Sequence, residues 1–238
     1  MHSAPDPISR LDIEWVAMQA KLKPANRVTV AADRADEVVA RARRDGFSVT
    51  RGARLVEFPG RAPAVILYIA ADESYTRRLA DTEAPLLPPQ SAQLRVDEAV
   101  PLHAQLGRLL GFPACCVDEF VARLRRGITR RLDGRAAHED FVAAECAARG
   151  TSQFLARLND LSPDRRVRIV TFYPCRYDCP SAADYAAAVC AAAERLSAAA
   201  ATALRTALLG TVSIATDGSR GTVEQLHGEV LTLEFREF

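Results

Sequence analysis

The chain lacks any excess of one charge: 31 Lys and Arg stand against 30 Asp and Glu, a formal +1 over 238 residues. That balance argues against the basic stripe that binds nucleic acid and the polybasic patch that docks on an acidic membrane. No run of about 18 consecutive apolar residues occurs, so no segment is built to cross a bilayer as a helix. The first residues, MHSAPDP, lack the basic-then-apolar layout of a secretory signal. A cytoplasmic, reducing location is therefore expected. Also missing are Gly-x-Gly-x-x-Gly, a Walker lysine loop, His-Glu-x-x-His, Gly-x-Ser-x-Gly and the Cys-x3-Cys-x2-Cys of radical-SAM enzymes. Nucleotide-driven and serine-hydrolase functions drop with them.

What is present is globular composition, 49% hydrophobic and 26% charged, on a chain long enough to bury a core. Apolar periodicity predicts helices over 11–22, over 34–45 (ended by Gly46) and from Ser74. Strands are predicted at 28–31, 47–50, 54–58 and 65–69, with a turn at Arg51-Gly52 between the second and third. This alternation reads as an N-terminal α/β unit over 1–83. Three prolines within 84–91 make 84–100 a connection. A helix-rich domain is expected over 101–238. Its first helix carries Leu102, Leu106, Leu109 and Leu110 and stops at Gly111; its second carries Val117, Phe120, Val121 and Leu124. Further helices are expected over 138–148 and 152–161, and one long alanine-rich helix over 180–209. Strands are expected at 167–172, 211–215 and 230–235, the last two separated by a turn over 217–221. The fold class is α/β or α+β.

Six cysteines in a reducing compartment are ligands, nucleophiles or small core residues rather than disulfides. Cys115 and Cys116 follow Gly111 and Pro113 and open a helix. Cys175 and Cys179 flank a short loop after Phe172, with Pro180 at the first position of the long helix. Both pairs thus stand at helix N-termini, where the macrodipole and free N–H groups favour thiolate over thiol. Thiolate is the form that ligates a metal. Cys146 and Cys190 fall within helical patterns and read as packing residues.

The four-cysteine set admits three centres. Zinc sites space their ligands by two residues or more, and adjacent cysteines must turn both sulfurs to one point. An iron–sulfur cluster offers separate iron corners, which adjacent cysteines reach more easily, so a cluster is preferred over zinc. A redox dithiol is the third alternative. A cleft beside the sulfurs is expected, lined by His103 and by at least one of Arg176, Tyr177 and Ser181. These four are the candidates for catalytic work, with His103 as a proton donor or extra ligand and Arg176 as an anion binder. Ordinary helix and surface roles compete for the same residues.

The segments LGRLLGFPACCVDEF (106–120) and FYPCRYDCPS (172–181) resemble a family of uncharacterised prokaryotic proteins. That family pairs an LGYPxCCVxxF block with a later PCxxxCxxS block, and the resemblance covers about residues 103–190. Phe112 stands where the family has tyrosine, and Ser181 falls one residue short of the family spacing. The resemblance implies that Cys115, Cys116, Cys175, Cys179 and Ser181 form one site, and carries no activity. The expected function is metal binding, with an iron–sulfur cluster serving redox, sulfur-handling or Lewis-acid chemistry in a biosynthetic pathway. A zinc-stabilised accessory protein and a thiol oxidoreductase are the alternatives. Expected partners are a small anionic substrate and a protein of that pathway, with neither nucleic acid nor membrane.

Overall fold

The computed structural model describes residues 13–56, 63–87, 94–127, 151–152, 169–175, 179–199, 201–202, 211–214, 220–224 and 230–234. It is a mixed α and β protein of two compact units. One runs from Lys23 to Phe112, and the other combines the residues before and after it.

The first unit is built on a three-stranded antiparallel sheet ordered β1-β3-β2, with β1 at Ala25–Ala31, β2 at Ser48–Val56 and β3 at Ala64–Ala70. The central strand, AVILYIA, is buried at every residue. A continuous apolar, β-branched run of this kind is what a strand covered on both faces requires. After β1, a short 3-10 turn at Ala32–Arg34 leads into α2 (Ala35–Arg44), taking α1 as the earlier helix Ile13–Gln19. Asp36 and Glu37 open α2 and Arg41, Arg43 and Arg44 close it, each sign complementing the helix dipole. The helix α3 (Glu73–Glu83) is capped by Asp72, whose side chain accepts from the Tyr75 N–H at 2.8 Å.

The helix α4 (Val96–Leu109) belongs to this sheet unit, whereas the sequence draws its boundary within 84–100. The reason is packing: Leu109 and Leu110 join Ile66, Tyr68 and Leu79 in one buried cluster, with Phe112 against it. The Tyr75 hydroxyl also donates to the Leu109 carbonyl at 2.7 Å. Gly111 ends α4 at φ +77°, with Gly111 N–H donating to the Arg108 carbonyl and Phe112 N–H to the Gly107 carbonyl. A Cβ at Gly111 would collide with Pro24 Cδ, so glycine is required there for space as well as for backbone angle.

In the second unit, α5 spans Ala114–Gly127 and α6 spans Pro180–Leu196. The small side chains Ala192 and Ala193 of α6, with Ala201 beyond it, let α1 pack closely through Val16. A four-stranded antiparallel sheet, ordered β4-β5-β6-β7, completes the described part: β4 is Thr151–Ser152, β5 Thr211–Ile214, β6 Arg220–Glu224 and β7 Val230–Glu234.

Several sequence expectations are corrected. Residues 48–56 form one strand rather than two around a turn, because β3 pairs with both halves and the register shifts between Arg51 and Leu55. Gly52 sits inside this irregularity, a bulge role that resembles a turn in sequence. Residues 169–172 do not form a strand, and Phe172 packs on Tyr185 of a helix instead. The alanine-rich helix stops at Leu196, where Ser197 turns to extended backbone at φ −162°. Ser152 is paired with Val212 in β4 rather than opening a helix. Arg220 and Gly221 begin β6, where the sequence predicts a turn. The helix expected over 138–148 lies outside the described residues.

Candidate metal centre

Cys115 and Cys116 are the second and third residues of α5, in a first turn closed by the Pro113 carbonyl. That carbonyl accepts from the Cys116 N–H at 2.9 Å and the Val117 N–H at 3.0 Å. Cys179 is the N-cap of α6, followed by Pro180, whose ring supplies the helical φ without needing an N–H partner. Both placements agree with the reading of the cysteines as helix-terminus residues.

Between these helix starts in sequence runs the irregular segment 169–175, whose aromatic contacts position Cys175. Phe172 meets Tyr185 of α6 edge-on, with ring centroids 5.6 Å apart. Tyr173 stacks flat on Phe120 of α5 at 5.7 Å. Successive aromatic residues therefore bind opposite helices, and Pro174 is buried after them. Cys175 is delivered with both of its backbone polar groups satisfied. Its N–H donates to Cys116 Sγ at 3.4 Å, and its carbonyl accepts from Arg123 Nη2 at 3.1 Å.

The four sulfurs converge. Cys115 Sγ lies 3.9 Å from Cys116 Sγ and 3.8 Å from Cys179 Sγ, and the Cys116–Cys179 separation is 3.7 Å. With Cys175 included, all four lie within 4.8 Å of one another, a group that can hold a metal ion. None is in a disulfide. Cys116 and Cys179 are buried at 2% and 0% exposure, Cys175 is half-buried, and Cys115 is exposed.

Burial and crowding set the protonation of the bare thiols. Burial pushes Cys116 strongly up, and the neighbouring Cys179 and Cys175 add to it against the Cys175 N–H. Burial likewise pushes Cys175 up to about 12, with Cys179 and Cys115 raising it further. Burial opposes ionisation at Cys115 too, but hydrogen bonds from Ser181, Cys179, Cys116 and Cys175 bring it below the ordinary thiol range. Burial and the neighbouring sulfurs thus hold Cys116 and Cys175 as thiols, and a cation among the sulfurs would favour their thiolate forms.

Of the other expected site residues, Ser181 is exposed on the first turn of α6 and hydrogen-bonds Cys115. Arg176, Tyr177 and Cys146 lie outside the described residues. His103 is half-buried on α4 in the sheet unit, where burial lowers its pKa and Glu83 of the same unit acts against that shift. Glu83 itself is buried and receives Arg27 Nε at 3.0 Å and 3.1 Å on its two oxygens. Cys190, further along α6, is half-buried and outside the sulfur group.

Arg123 is the residue the sequence reading misses. It is 7% exposed, and besides Cys175 it binds Glu119, Nε to Oε1 at 2.7 Å. Arg126 reaches the same carboxylate oxygen at 3.2 Å. Burial works against ionisation of Glu119, yet Arg123 and Arg126 hold its carboxyl below the usual range. The signal was present as Glu119, Arg123 and Arg126 at i, i+4 and i+7 of one helix, which also reads as an ordinary solvated face.

No known protein-family model, curated protein or solved structure matches this chain.

Proposed function

We propose that this is a metal-binding protein whose four cysteines hold one tetrahedrally coordinated ion, zinc, tying the starts of α5 and α6 to the 169–175 segment. The reading rests on sulfur spacing. A tetrahedron with metal–sulfur bonds of ~2.3 Å has sulfur–sulfur edges of about 3.8 Å, and three edges here measure 3.7, 3.8 and 3.9 Å. In a four-iron cluster each thiolate meets its own iron, which spreads the ligands further apart. The sequence favours a cluster because adjacent cysteines must turn to one point. In the first turn of α5 Cys115 and Cys116 do so with sulfurs 3.9 Å apart, and the objection to a single ion loses its force.

Four thiolates around a divalent ion leave a net negative charge, and the surroundings are suited to it. Two helix N-termini face the sulfurs, the Cys175 N–H donates to one, and Arg123 lies against the Cys175 carbonyl. All four ligand positions are protein, the pattern of a zinc centre that organises a fold for binding or accessory work. Metal analysis with an absorption spectrum, on protein purified without oxygen, tests this. The expected result is equimolar zinc and a colourless protein. Iron with acid-labile sulfide and a brown colour would replace zinc by a cluster, and the absence of any metal would leave a thiol site.

A further inference from the structure

We infer that Cys115 is a modification site of this centre, the thiolate through which hydrogen peroxide oxidises it, joining Cys115 to Cys179 as a disulfide and freeing the ion. The inference rests on the metal reading above. Two observations carry it. Exposure is uneven: Cys115 is the exposed member of the set, while Cys116 and Cys179 are buried and Cys175 is half-buried. A small oxidant in solution therefore meets the Cys115 sulfur first. Ser181, itself exposed, is a hydrogen-bond partner of Cys115 on the first turn of α6.

Geometry selects the partner. Cys115 Sγ has Cys179 Sγ at 3.8 Å and Cys116 Sγ at 3.9 Å, with Cys175 Sγ within 4.8 Å. A bridge to Cys116 would close a small ring across a single peptide bond, which the helical backbone of the α5 first turn does not accommodate. Cys179 is the N-cap of another helix and carries no such constraint. The resulting disulfide joins the N-terminus of α5 to that of α6.

The chemistry balances as follows. The Cys115 thiolate attacks one peroxide oxygen, the O–O bond breaks, and sulfur becomes sulfenic acid while hydroxide leaves. The Cys179 thiolate then attacks the Cys115 sulfur, the S–S bond forms, the S–O bond breaks and a second hydroxide leaves. Each hydroxide takes a proton from the acid form of the buffer and ends as water. The two thiolates have given two electrons to peroxide, and the ion has lost two anionic ligands. A dithiol reductant reverses the bridge.

The test uses the full chain loaded with zinc and treated with limiting hydrogen peroxide. Zinc release is followed with a chromogenic chelator, and cysteines are mapped by alkylation and peptide mass analysis. Zinc release should rise together with a Cys115–Cys179 cross-linked peptide, and dithiothreitol with added zinc should restore both. The Cys190→Ser protein should release zinc in the same way. Release with a different cross-link, first oxidation at Cys175 or Cys190, or zinc and thiols intact under excess peroxide would each overturn the inference. A chain that takes up no zinc would instead sink the metal reading, and the cross-link map of that metal-free chain still decides whether Cys115 and Cys179 pair.

Discussion

Arg123 holds Cys175 by its backbone: Nη2 donates to the Cys175 carbonyl at 3.1 Å while Nε of the same guanidinium is bound to Glu119. A planar fork can serve both acceptors at once, which a lysine ammonium on a flexible stem does less well. Arg123→Met should therefore weaken zinc binding by roughly 10–100-fold, as loss of a partner behind the ligands commonly does. Arg123→Lys should recover only part of that. Competition against a chelator of known affinity measures both, and unchanged affinity in the methionine variant would remove Arg123 from the centre.

Ligands separate from packing residues by metal content. Cys115→Ser, Cys116→Ser, Cys175→Ser and Cys179→Ser should each lose zinc. Cys146→Ser and Cys190→Ser should retain it, even if a buried hydroxyl without a partner costs about 1–3 kcal/mol. Full occupancy in Cys175→Ser would falsify the four-cysteine site.

Removing the ion should lower stability by mass action. With free zinc at 1,000 times its dissociation constant, the stabilisation is about 4 kcal/mol, and it vanishes on chelation. Thermal unfolding with and without EDTA should show a lower midpoint in EDTA. Coincident curves would mean that the folded chain gains nothing from zinc.

In the sheet unit, Gly111→Ala places a Cβ on Pro24 and forces a left-handed alanine. The expected cost is roughly 1–3 kcal/mol of stability. Gly46→Ala also meets a positive φ but has no atom within 4 Å of the new Cβ, so its loss should be smaller. Chemical denaturation of the two variants tests the order.

His103 makes a pH prediction. Burial lowers its folded pKa from 6.5, with Glu83 pulling the other way. The unfolded chain then binds more protons than the folded one between the two values, so this residue's contribution falls as pH drops below about 6.5. His103→Gln should flatten the acid side of the stability curve, followed by denaturant midpoints from neutral pH downward. An unchanged slope would mean that His103 titrates alike in both states.

Local chemistry explains what was readable in advance. Gly46 and Gly111 announce their helix ends because few residues besides glycine tolerate φ near +80°, and both adopt it. The joint placement of Cys115, Cys116, Cys175 and Cys179 was legible because proline and helix-start signals lie beside each pair. What stayed hidden depends on partners distant in sequence. Nothing near Arg51 and Gly52 indicates that β3 pairs on both sides of them. The stop at Ser197 interrupts an alanine run whose propensity favours continuing the helix. Arg123 looks like a surface charge until the Cys175 carbonyl arrives from 52 residues away. The sulfur separations on which the zinc proposal rests are likewise not encoded in spacing along the chain.

Cys116 and Cys179 are 63 residues apart in the chain, yet their sulfurs lie 3.7 Å apart. With an ion between them the polymer is closed into a long loop, as a cross-link would close it. On the chain-entropy account, closing a loop of that size removes about 4 kcal/mol of freedom from the unfolded ensemble. The dependence on length is logarithmic, so doubling the intervening chain costs only about 0.6 kcal/mol more. Evolution could thus lengthen or shorten the chain between the two cysteine pairs at little thermodynamic expense, provided both pairs kept their helix starts.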